Sequence, residues 1–157
     1  MGSGGNGGVG LVSARRLAEW GAVVQLVLAN ESDRLSEVAG HQLAILERVG
    51  VPYTVASDDA VAIPADGMVI DVLVGYSLSG GLRGAAAALI HEANGTAAPV
   101  LSLDVPSGVY IATGEVYEPA IEANATLTLA LPKVGLRAAE GRPHVGDLYL
   151  GGHRRSD

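Results

Sequence analysis

The chain contains no cysteine, no phenylalanine and a single lysine, Lys133, among its 157 residues. Without cysteine there is no disulfide framework, no thiolate metal site and no cysteine nucleophile. No apolar run approaches the ~18 to 20 residues that a membrane-crossing helix needs, so a membrane partner is not expected. No basic segment followed by an apolar one opens the chain, and the expected location is the cytoplasm. Positive charge is also scarce: 10 Lys and Arg against 17 Asp and Glu leave a formal net charge of −7. A phosphate-backbone partner needs the opposite balance, so nucleic acid is excluded as a direct partner. Intrinsic disorder is excluded as well, because 48% of residues are hydrophobic and the mean hydropathy is +0.31.

The apolar residues fall in short runs that alternate in period. Residues 23–29, VVQLVLA, read as a strand covered on both faces, and 68–74 and 100–103 read as further strands. Shorter strands are expected at 53–55, 126–131 and 148–150. Helical spacing marks residues 11–20, closed by Gly21, residues 35–49, closed by Gly50, and residues 82–94, closed by Gly95. Alternating strands and helices of this size predict an α/β protein: a Rossmann-like three-layer α/β/α sandwich with a mostly parallel sheet. Residues 1–157 read as one domain, with no repeat or linker dividing them. The glycine-rich stretch begins at Gly2, where no residues are available for the strand that precedes a phosphate-binding loop; an N-terminal portion of the domain is expected to be missing.

Three segments carry candidate chemistry. Gly5-Asn6-Gly7-Gly8-Val9-Gly10 satisfies G-x-G-x-x-G ahead of a helix whose terminal amides could hold an anion, and Glu31 follows at the distance of a ribose-binding acid; a plain loop-to-helix turn is the alternative. Asp71 interrupts an apolar strand, so its charge needs a hydrogen-bond network, a shifted protonation equilibrium or a cation held by oxygen ligands. Asp104 ends a strand and opens Asp-Val-Pro-Ser-Gly, at the end of an α/β sheet where ligands gather. It could serve as an acid or base, or merely cap the next turn. A serine hydrolase is disfavoured because no G-x-S-x-G is present, and His41, His91, His144 and His153 lack metal-ligand spacing.

Taken in order, five blocks resemble the NAD(P)H-hydrate epimerase family, the YjeF N-terminal domain. They are GSGGNGGVGLVSARRLAEWGAVV (2–24), DVLVGYSLSGGLRG (71–84), PVLSLDVPSGVYIATGE (99–115), ANATLTLALPKVGL (123–136) and VGDLYL (145–150). The resemblance implies a repair isomerase that interconverts the R and S epimers of hydrated NADH and NADPH, so that a dehydratase, fused or separate, can restore the S form. It also implies a homodimer and a potassium ion held by Asn6, Asp71 and Ser107. On the same grounds the dinucleotide substrate would lie against Gly5, Asn6, Gly7, Gly8 and Val9, against Gly75, Tyr76, Ser77, Leu78, Ser79, Gly80 and Gly81, and against Asp104. Asp104 and Lys133, the latter in the family's Pro-Lys element, are the implied catalytic pair. The sequence departs from the family at Gly5, where an Asn is usual, and at Val9, where an Asp is usual. Two other readings compete: a non-catalytic nucleotide-binding or dimerisation module of the same fold, and an ordinary dehydrogenase using Glu31.

Overall fold

The computed structural model describes residues 5–31, 35–57, 63–75, 78 and 80–152. Its elements alternate as expected: α1 (Gly5–Glu19), β1 (Leu26–Leu28), α2 (Glu37–Arg48), β2 (Tyr53–Val55), β3 (Val69–Asp71), α3 (Ala85–Gly95), β4 (Val100–Leu103), β5 (Ala125–Leu129) and β6 (Asp147–Gly151). Two short 3-10 turns, Val134–Arg137 and Arg142–His144, lie between β5 and β6.

Every strand pairing is parallel, which requires a crossover between neighbours and places helices on the sheet faces. Hydrogen bonding divides the strands into a β1-β2 pair and a four-stranded sheet of order β3-β4-β5-β6. Register sets Asp71 beside Ser102 and Ser102 beside Thr126, so these three polar side chains share one sheet face. Leu11, Leu28 and Leu46 are fully enclosed where α1 and α2 cover the β1-β2 pair. Burial of each such side chain contributes about 2 kcal/mol. A second core joins α3 to β3 and β4 through Ile90, Leu89 and Val100, and a third gathers Val105, Val109, Leu136 and Val145 under the connections that follow β4 and β5.

The boundaries correct several expectations. Helix α1 begins at Gly5 rather than near residue 11, so Gly5 to Gly10 form its first turns and not a separate loop. Gly10 shows what the glycines allow: a Cβ there would stand 2.5 Å from a methyl of Val72, so the helix approaches β3 only without a side chain. Helix α2 is shorter at its start because the Ser36 hydroxyl accepts from the Ala39 amide at 3.3 Å, a capping bond that sets the boundary. The strand expected over 23–29 is confined to Leu26–Leu28, since Val23 stands fully in solvent. Asp71 ends β3 instead of interrupting it: its carboxylate accepts from the Leu73 amide two residues on, a turn that stops the strand.

Candidate functional site

The C-terminal ends of β3 and β4 position the candidate side chains, and the segment 103–107 links them. Asp71 is 3% exposed and its carboxylate takes four donors. Oδ1 accepts from the Leu73 amide at 3.2 Å and the Ser107 hydroxyl at 2.6 Å; Oδ2 accepts from the Ser102 hydroxyl at 2.8 Å and the Ser107 amide at 2.9 Å. Of the possibilities that the sequence left open for this buried charge, hydrogen bonding is present in full, and a cation is not needed to neutralise an orphaned carboxylate. Ser107 is the hub, because its Oγ also accepts from the Val74 amide at 3.0 Å and has the Val74 carbonyl 3.3 Å away as a second acceptor.

Asn6, in the first turn of α1, reaches the same region. Its Nδ2 donates to the Leu103 carbonyl at 3.4 Å, tying the helix start to the residue before Asp104. Gly75 lies flat against the Asn6 amide, where a Cβ would be 2.9 Å from Oδ1, so this approach also demands glycine. The amides of the first turn have no intrahelical partner and carry the positive end of the helix dipole, which suits an anion. Leu78 is buried and its amide bonds the Gly75 carbonyl at 3.3 Å, while Gly80 has φ of +118°. Tyr76, Ser77 and Ser79 lie outside the described residues.

Asp104 leaves β4 in the left-handed region at φ +72°. That turn sends its amide to the Leu127 carbonyl at 2.8 Å and its Oδ1 to the Leu129 amide at 3.1 Å. The Lys133 ammonium donates to the same Oδ1 and, at 2.7 Å, to the Leu129 carbonyl. The two side chains are 9% and 8% exposed, so the pair is screened little by solvent. Oδ2 makes no hydrogen bond among the described residues, which leaves one carboxylate oxygen for a ligand. Such an arrangement can hold a carboxylate still on one oxygen and exchange a proton on the other.

Asn6, Asp71, Asp104, Ser107 and Lys133 are therefore brought together with Gly75. Val9 is 39% exposed and adds no polar group. Glu31 is exposed and turned toward β2, where Tyr53 is held above the ordinary phenol range, chiefly by its hydrogen bond to Glu47 and last by the charge of Glu31. Ser102 was not singled out from the sequence; its signal is the register that sets it beside Asp71 on the neighbouring strand. Among the described residues no three His, Cys, Asp or Glu side chains gather as a metal group, and the His144 ring bonds the Ile121 carbonyl at 3.0 Å. The oxygens that do gather, Asp71 Oδ1, Ser107 Oγ and the Val74 carbonyl, carry one formal charge between them. A hard, singly charged oxygen set of this kind suits a monovalent cation.

A bifunctional NAD(P)H-hydrate repair enzyme Nnr of Salinibacter ruber is 39% identical over 95% of this chain and 30% of its own length. An NAD(P)H-hydrate epimerase of Dehalogenimonas lykanthroporepellens is 41% identical over 96% of this chain and 58% of its own length, and one of Lentilactobacillus buchneri is 35% identical over 95% and 68%. The chain thus spans from under a third to about two thirds of these relatives. The crystal structure of yeast ynu0 superposes with a TM-score of 0.75 at 23% identity, covering 99% of this chain and 65% of that one, which fixes the fold as Rossmann-like. Among the described residues no helix is long and apolar enough to cross a membrane. The family model for the YjeF-related protein N-terminus matches residues 1–135, and the chain belongs to that family.

Proposed function

We propose that this protein is an NAD(P)H-hydrate epimerase, an isomerase that interconverts the R and S epimers of hydrated NADH and NADPH. The observation that carries the reading is the bond from Asn6 to the Leu103 carbonyl, which sets the anion-binding start of α1 against the buried Asp104–Lys133 pair. A dinucleotide is a molecule with phosphates at one place and a reactive ring at another, and these two features would receive them. Relatives of this chain carry the epimerase name, which supports the assignment.

In this reading the amides of Gly5, Asn6, Gly7 and Gly8 hold phosphate, and Gly75, Tyr76, Ser77, Leu78, Ser79, Gly80 and Gly81 are further substrate-binding residues. Asp104 takes and returns the proton at the hydrated ring through its open Oδ2. Lys133 holds the other oxygen in place. Asn6, Asp71 and Ser107 would hold a potassium ion, which would supply fixed positive charge to the site. The bifunctional relatives support a dehydratase, fused or separate, as the consumer of the S form. A homodimer in the cytoplasm completes the proposal.

The test is conversion of R-NADHX to S-NADHX by the purified protein and by Asp104→Ala. The wild type should exceed the spontaneous rate and the variant should fall at least 100-fold, toward it. Equal rates for both proteins and the blank would remove the enzymatic reading. Gly5 and the exposed apolar Val9 favour a second reading, a nucleotide-binding or dimerisation module without turnover. Tight binding of NADPH analogues with no epimerisation would select it.

A further inference from the structure

Among the described residues, buried side-chain polar atoms without a hydrogen-bond partner are few, and one of them, the Thr128 hydroxyl, lies on the strand whose neighbouring residues bond Asp104. Thr128 is 1% exposed in the middle of β5. Interior strand positions of parallel sheets are ordinarily Val, Ile or Leu, and valine has nearly the shape of threonine. A hydroxyl here costs free energy that valine would not, unless it bonds something other than the protein's own groups.

Its position says what that is. Thr126 and Thr128 point to the sheet face shared with Asp71 and Ser102, and Thr126 is satisfied by the Val145 carbonyl at 2.7 Å. The residues on either side of Thr128 are the two that hold Asp104: the Leu127 carbonyl takes its amide at 2.8 Å and the Leu129 amide donates to its Oδ1 at 3.1 Å. Burial keeps Thr128 from touching a dinucleotide, so it can act only through a neighbour, and Asp104 is the reactive group that its strand grips.

The chemistry of Asp104 also calls for such a group. The Leu129 amide and the Lys133 ammonium can only donate, so they suit the carboxylate and oppose the carboxylic acid. An acid/base residue must dwell in both forms. A hydroxyl donates to the first and accepts from the second, whereas the Ser107 hydroxyl is committed to Asp71. We propose that Thr128 is a positioning residue for Asp104, its hydroxyl steadying the carboxyl group in both protonation states through one bound water. The proposal rests on Asp104 being the acid/base of the epimerase reading.

Thr128→Val and Thr128→Ser in the full 157-residue chain test it, with aspartate 13C-labelled and the Asp104 resonance identified by its loss in Asp104→Asn. Thr128→Val should melt no lower than wild type, move the Asp104 carboxyl-carbon resonance, and lower kcat for NADHX about tenfold with KM unchanged. Thr128→Ser should restore the resonance and kcat. An unmoved resonance, an unchanged kcat, or a melting temperature well below wild type would each overturn the proposal, the last by showing a structural role. If wild type itself turns over no faster than the blank, the epimerase reading fails, while the resonance still decides whether Thr128 bonds Asp104.

Discussion

Ser107→Ala removes one oxygen atom from a site where that atom makes two bonds. The hydroxyl donates to Asp71 Oδ1 at 2.6 Å and accepts from the Val74 amide at 3.0 Å, and Ser107 is fully buried. Alanine leaves the carboxylate with three donors instead of four and leaves the Val74 amide without its acceptor. A bond to a buried charge contributes about 1.5 to 3 kcal/mol, and an orphaned buried amide costs about 1 to 3 kcal/mol. Part of the two losses overlaps, because the 2.6 Å bond and the Val74 bond share one oxygen; the expected sum is about 3 kcal/mol. For a chain of this size that lowers Tm by roughly 6 to 12 °C. Urea unfolding followed by far-ultraviolet circular dichroism measures the free energy, and a thermal scan measures Tm. Ser13→Ala is the control: its hydroxyl bonds only the Val9 carbonyl on the exposed side of α1, so its loss should stay within about 0.5 kcal/mol. If Ser107→Ala is as mild as the control, the hydroxyl does not neutralise Asp71 and the account of that carboxylate is wrong.

Two further outcomes follow from the same geometry. Gly10→Ala drives a methyl into Val72 and should destabilise the fold by about 1 to 3 kcal/mol, read from urea unfolding; a neutral result would mean that α1 does not sit that close to β3. Exchanging choline chloride for potassium chloride at equal ionic strength should stabilise wild type by about 1.4 kcal/mol when the ion is at ten times its Kd, read as a rise in Tm, and Asn6→Leu should abolish the rise. No rise over choline would end the potassium proposal.

Local signals were readable where one residue decides the outcome. Gly21 and Gly50 close helices with φ of +90° and +78°, a conformation that glycine alone adopts freely. The alternation of period gave the order of strands and helices. What the sequence hid lay in contacts made across the chain. Gly5 to Gly10 look like a loop because glycine is a poor helix former, yet packing of Gly10 on Val72 holds them in α1. Asp71 looks like an unmet charge because three of its four donors come from 31 and 36 residues away, at Ser102 and Ser107. Lys133 was conspicuous as the single lysine, but its pairing with Asp104 depends on the β4-β5 register, which no local pattern encodes.

The left-handed backbone at Asp104 narrows what mutation can reach at that position. A φ of +72° admits glycine freely and Asn or Asp with little strain, and it penalises every branched or bulky residue. Glutamate therefore offers the same acid at a different reach and with a poorer backbone fit. Of glycine, asparagine and aspartate, only aspartate carries a carboxyl group. Foldability and carboxylate chemistry thus draw from short lists that meet at aspartate. A saturation library at this codon should sort cleanly: folded and active for Asp, folded and silent for Asn and Gly, and poorly folded for most of the rest.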